Sequence, residues 1–572
     1  MAAPSLSVST STSSYPEFQR PEQFPYGDID DNNTSTLVDE TGAKLFETGM
    51  GGLLLTITWR NDVATLSRYL KKYPWPLHHL VPRVPCCDDP FWVAARQGST
   101  DVLRILLDNY AAHPSQIKVD PNARGHLLLN VACSYAQVGT VRFLLDNQPA
   151  LGNIHARDED GGTALLSAAA SLAHVDSRRH DSIYDYVARG EEVMQLLLDN
   201  GAGARDVLPR GAFIPPGDEQ PRETVLGLAI SRASPKLVKR LINQGADVHA
   251  KQMLFIQHGG LELADPVWDV TPLHVGSFYL NTEGIQLLFD HRDSGIDIVD
   301  MVSCRDTNGR IPLHFAAVGP RILSKEDYML IKDDIISHAI STIKLLLTGN
   351  PSTVNAQDNQ GQTALHYAVS SYAVLRGKYF NVLKILCDNG ADASLRGRNG
   401  ETPLHCIGFS ALAGEPASRA VIDLLLAHGA SVDDTDIDGN TPLHLVVARN
   451  LEHVELARVL LSRGASISTK NSKGNAPLHE AAGGVIYIEG RNLTLEDRIR
   501  TQNTMMGVLQ EAGGNVNLMD QRNTAGKTPR QILEERRNEW LEEAKYYSEI
   551  LAGKGRGRGR GRGYFLYQIL AV

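Results

Sequence analysis

The chain has 572 residues but few cysteines, six in all, and only 6% aromatic residues. Cys86, Cys87, Cys133, Cys304, Cys387 and Cys406 are scattered. The one close pair is adjacent and has no second pair beside it, which is not the ligand spacing of a structural zinc site. Such thiols read as reduced, and the expected location is cytoplasmic or nuclear. No uninterrupted apolar run is long enough for a membrane span, and none is expected. The opening MAAPSLSVSTSTSS carries neither the basic nor the apolar segment of a secretory signal. Positive charge is also short, with 56 Lys and Arg against 66 Asp and Glu and a net charge of −10. Five positive charges lie in one run, GKGRGRGRGRG (553–563), so the rest of the chain stands near −15. That balance argues against a broad nucleic-acid-binding face.

Signatures of catalysis are missing as well. AGKT (525–528) looks like the end of a phosphate-binding loop, but Gln521 stands where the loop needs its first glycine. The turn GFSAL (408–412) lacks the last glycine of a nucleophile elbow. HEAAG (479–483) lacks the second histidine of a zinc-protease helix. The expectation is a chain that is not an enzyme and needs no cofactor or metal.

What the sequence does contain is repetition. TPLH stands at 271–274, 402–405 and 441–444, with the variants IPLH (311–314), TALH (363–366) and APLH (476–479). Leu-rich segments ending in Gly-Ala follow most copies: LLLDNGA (196–202), RLINQGAD (240–247), KILCDNGAD (384–392), DLLLAHGA (423–430) and RVLLSRGA (458–465). Weaker copies begin near LLLTITWRNDVATLSRYL (53–70), and a truncated one, AGKTPRQIL (525–533), closes the series. Thr before Pro suits a helix start, where the hydroxyl can cap free amides and Pro at the first helical position loses no hydrogen bond. Gly after the second helix suits a left-handed helix end. A single helix pair cannot bury its apolar face alone, so the copies must stack.

These motifs closely resemble the ankyrin repeat. The resemblance implies an all-α fold, an ankyrin-repeat α-solenoid of about eleven or twelve helix-turn-helix units with short β-hairpin-like fingers between them. It also implies that His274, His314, His366, His405, His444 and His479 bond locally and brace adjacent units. Rings held one repeat apart could not share a metal ion. The spacing departs from the family pattern in places: 13 residues separate His274 from Leu287, but 19 separate His366 from Ile385 and 31 separate His314 from Leu345. Several units therefore carry insertions between their two helices.

Two further insertions, 206–223 and 251–269, fall between units, where the family places its fingers. They put Phe213 and Ile214, and then Met253, Leu254, Phe255, Ile256 and Trp268, on segments expected to project. Exposed apolar and aromatic clusters serve as anchors in interfaces, and the alternative is that these side chains fold back onto their own units. Residues 1–45, rich in Ser, Thr and Asp, are expected to be disordered. The solenoid is expected over 46–533 and a capping helix over 534–552, with Trp540, Ala544, Tyr547 and Leu551 in one stripe. The tail 553–572 is flexible in composition. It offers Arg556, Arg558, Arg560 and Arg562 as a weak nucleic-acid contact, although its aromatics all follow the Arg run instead of alternating with it. The resemblance implies a non-enzymatic protein-binding scaffold or adaptor with one or more protein partners and no membrane. The alternative is an RNA-associated protein acting through the tail.

Overall fold

A computed structural model of the chain describes residues 53–72, 89–112, 127–173, 183–209, 222–254, 267–291, 296–319, 332–374, 379–409, 418–449, 451, 453–486, 494–514 and 517–551. It also describes three short strands, Ser7–Thr10, Ser35–Val38 and Lys44–Thr48, which form an antiparallel sheet. The rest of the expected disordered N-terminus and the tail 553–572 lie outside the described residues. The chain divides into two compact units, Met1–Asn350 and Pro351–Val572.

Each unit is built from helix pairs. In the first, Pro90–Gln97 precedes Thr100–Ala112, Leu128–Ser134 precedes Val138–Asn147, and Pro272–Phe278 precedes Thr282–Asp290. In the second, Ala364–Val374 pairs with Phe380–Asp388, Pro403–Phe409 with Ser418–Ala427, Pro442–Arg449 with Val454–Ser462 and Pro477–Gly483 with Leu495–Gly513. First helices pack on first helices and second on second, giving two rows. The motif leucine fills the seam. Leu273, Leu313, Leu365, Leu404, Leu443 and Leu478 are at most 1% exposed, and each such burial contributes roughly 1.5–3 kcal/mol. The glycine of Gly-Ala ends the second helix as expected: Gly201, Gly245, Gly390, Gly429 and Gly464 have φ between 89° and 105°. That left-handed turn tucks Ala391 inward, and its N–H closes on the Leu386 carbonyl at 3.0 Å.

The helix start works differently from the expectation. Where the histidine is present, the Thr hydroxyl turns to the ring: Thr402 Oγ1 lies 2.9 Å from His405 Nδ1, which also accepts the Thr402 N–H at 3.1 Å. An amide bonded to Nδ1 places the ring proton on Nε2, which then donates to the Asn440 carbonyl of the next helix pair at 3.1 Å. His274 reaches the Arg310 carbonyl, His366 that of Glu401, His444 that of Asn475 and His479 that of Gln521. Where the histidine is absent, the hydroxyl reverts to capping. Thr224 Oγ1 accepts the Gly227 N–H at 3.0 Å. The space a ring would fill is taken by Gln252, whose Oε1 accepts both the Thr224 N–H and its hydroxyl. A methyl group on Gly227 would lie 1.9 Å from that oxygen, so Gln252 keeps this place only beside a glycine. Asn130, at the same position in its repeat, makes no local bond through its Oδ1, and its Nδ2 donates to the Gly162 carbonyl and to Asp158 Oδ2, both at 3.0 Å. Gln531, in the last unit, keeps only the local bond, from the Thr528 N–H at 2.9 Å.

Between pairs run tight turns. Asp436 is typical: its N–H donates to the Asn440 carbonyl, its Oδ1 accepts the Asp438 and Asn440 amides, and Gly439 takes φ 75° at the bend. In the second unit successive tips are hydrogen-bonded. The Ile437 N–H donates to the Asn399 carbonyl, Ser472 to Asp438 and Thr524 to Lys473.

Candidate protein-binding surface

The two long insertions begin and end in β-ribbons. Val207–Leu208 pairs with Glu223–Thr224, and Gln252–Leu254 pairs with Val267–Val270. The second ribbon places Met253 inside the body at 2% exposure, on the strand paired with the one whose Val267 and Val270 are also buried. Met253 is therefore packed within its own unit and does not project as an anchor. Leu254 and Trp268 are half-buried. The Trp268 backbone is tied to the next turn, where Thr307 donates its N–H to the Trp268 carbonyl at 3.1 Å. Phe213, Ile214, Phe255 and Ile256 lie outside the described residues, as do Arg556, Arg558, Arg560 and Arg562.

The structure adds surface features that motif reading passed over. Ile437 is 69% exposed at a turn tip, and the signal for it was an isoleucine inside the polar turn sequence DIDGN (436–440). Beside the first ribbon an open cleft of about 720 Å³ is lined by Arg205, Asp206, Asp247, His249 and Lys251 among others. Its charges are largely spent internally: Arg205 Nε donates to the Gly245 carbonyl and Lys251 pairs with Asp269 at 3.0 Å.

The six motif histidines are all buried, at 1% exposure or less. Burial holds His274 down to a pKa of about 3 and lowers those of His405, His444 and His479. His453, which precedes the second helix of its pair, is held to about 4 by the same cause. Neutral rings suit the brace, since a charged ring could not accept the local amide. Among the described residues no group of three or more His, Cys, Asp or Glu could hold a metal ion, and no helix is long and apolar enough to cross a membrane.

The thiols are equally quiet. Burial pushes Cys387 and Cys406 up to about 12 and raises Cys133 further. In the folded chain Cys133 and Cys406 should react with iodoacetamide at least about a hundredfold more slowly than in urea. Mass spectrometry of the labelled peptides reads this directly, and equal rates would mean the helices that hold them open readily.

The elements define a class first: a helical solenoid whose pairs are locked by one repeating tetrapeptide. The family model described as ankyrin repeats (3 copies) matches residues 335–408 and 409–488. Residues 335–488 are therefore ankyrin repeats. It is 28% identical over 214 residues to inversin of Canis lupus familiaris and, equally, to that of Homo sapiens. The match covers 37% of this chain and 16% of either relative, so the chain spans only a small part of their length. A putative ankyrin repeat protein, L371 of Acanthamoeba polyphaga mimivirus, is 26% identical over 182 residues, 29% of this chain and 21% of that protein.

Proposed function

We propose that the chain is a non-enzymatic scaffold or adaptor that binds other proteins through its repeat surface. The observation that carries this reading is the pre-set order of that surface. In the second unit His366, His405, His444 and His479 and the linked turn tips fix each helix pair to the next by hydrogen bonds at both the helix start and the turn. Side chains between those points are already in place, which reduces the entropy lost on association.

The test is affinity capture from cell extract with the full chain and with a variant in which Arg556, Arg558, Arg560 and Arg562 are replaced by Gln, each with and without ribonuclease. Retention of the same proteins in all four conditions is the expected result. Loss of capture with ribonuclease or with the tail charges would move the function to RNA contact through the tail.

A further inference from the structure

At the start of the first unit an arginine is held by three aromatic rings and by no acceptor. Trp59 ends the helix Leu53–Trp59, Trp92 and Arg96 lie on Pro90–Gln97, and Tyr135 caps Leu128–Ser134. The Arg96 guanidinium carbon sits 5.8 Å from the ring centre of Trp59, 5.2 Å from that of Trp92 and 5.0 Å from that of Tyr135. Trp92 and Tyr135 meet edge to face at 6.3 Å, which fixes the frame. Gln137 Nε2 donates to the Arg96 carbonyl and anchors the backbone beneath. Among the described residues the guanidinium has no hydrogen-bond acceptor and no ion pair, and its Nε is buried without a partner.

Two other stacked arginines of this unit spend their donors. Arg232, over Tyr279, donates to the Leu172 and Ala173 carbonyls, and Arg310, over Phe315, pairs with Asp306. Among the described residues the two terminal nitrogens of Arg96 are left unspent. A guanidinium already fixed by its neighbours loses little rotamer freedom when it binds, and its planar fork matches a carboxylate through two charge-assisted hydrogen bonds. Local charge agrees: described residues within 53–149 hold seven Lys and Arg against five Asp and Glu, the reverse of the chain as a whole. Trp59 is 50% exposed beside the arginine, an open apolar wall. Trp, Tyr and Arg together are the composition of interface hot spots.

We infer that Arg96, framed by Trp59, Trp92 and Tyr135, receives a Glu or Asp carboxylate from an acidic peptide segment of a protein partner, with an apolar neighbour of that carboxylate lying on Trp59. The inference rests on the scaffold reading and names a partner chemistry for it. A nucleic acid fits less well, because the guanidinium already occupies a face of each ring that a base would need for stacking.

The test presents the full-length chain to an immobilised array of peptides, each with a single Glu flanked by Leu, Phe or Pro beside its Gln counterpart. The expected result is a preference for some Glu peptides over their Gln counterparts of about tenfold or more. Arg96→Ala should abolish that preference, and Trp59→Ala, at a half-exposed position, should reduce retention several-fold while the thermal midpoint holds. No preference for Glu over Gln, or a preference that survives both substitutions, overturns the inference. So does displacement of bound peptide by a single-stranded RNA oligonucleotide in place of acidic peptide. If the site fails while capture of proteins from extract persists, only this docking point falls. If neither peptides nor proteins are retained, the scaffold reading falls with it.

Discussion

Replacing His405 by alanine should destabilise the second unit by about 3–5 kcal/mol, whereas His405→Gln should cost only about 1–2 kcal/mol. The alanine removes a fully buried ring and leaves three groups in its place: the Thr402 amide, the Thr402 hydroxyl and the Asn440 carbonyl. Buried polar groups left unpaired cost about 1–3 kcal/mol each, and the cavity adds to this. Glutamine is the residue the chain itself uses where no following pair has to be reached, since Gln531 accepts the Thr528 amide at 2.9 Å. It should preserve the local bond and lose the one to Asn440. Urea unfolding of the three proteins separates the two halves of the brace. Equal losses for alanine and glutamine would show that the bond between pairs carries nearly all the effect, and an alanine loss below about 1 kcal/mol would show that the ring is dispensable.

The second large effect is on pH. Lowering the pH from about 7 to about 5 should destabilise both units. In the unfolded chain each histidine takes up a proton near its ordinary pKa of about 6.5. In the folded chain burial keeps His274 neutral down to about 3 and His453 down to about 4, and it shifts His405, His444 and His479 in the same direction. The unfolded state therefore binds more protons below about pH 6.5, and stability falls as pH falls, by up to about 1.4 kcal/mol per pH unit for each ring. Above that pH the contribution is complete and flat. Burial raises the carboxyl pKa of Glu223 and Asp306, and these groups act with the opposite sign. Where they titrate they offset part of the histidine effect. Urea midpoints that stay level across this window would mean the rings charge inside the folded protein.

The repeat architecture was legible because its determinants are local and recur. The tetrapeptide sets a helix start, Gly-Ala sets a helix end, and both signals survive insertions elsewhere in the unit. The role of the Thr hydroxyl was not legible, because it depends on whether a ring sits three residues on: Thr402 bonds His405, and Thr224, lacking one, caps Gly227. The fate of Met253 was hidden for a similar reason. Its insertion looks like a projecting loop in sequence, yet its flank pairs with Val267–Val270 and turns the side chain inward. The C-terminal helix is one element, Pro529–Leu551, that joins the last unit to the expected cap. Trp540 is 4% exposed, packed beneath Arg498 and Arg536, while Ala544 of the same expected stripe faces solvent. The Arg96 frame left no mark that periodicity could find, since its four side chains come from three helix pairs and share no motif.

In each unit the histidine braces lie where first helices begin, and in the second unit the linked turns lie there too. The junction between the two helices of a pair lies at the opposite end of the first helix, and its length in sequence varies from pair to pair. The arrangement is that of a bound book: the spine sets the order and pitch of the leaves, and their outer margins can be cut to different lengths without loosening the binding.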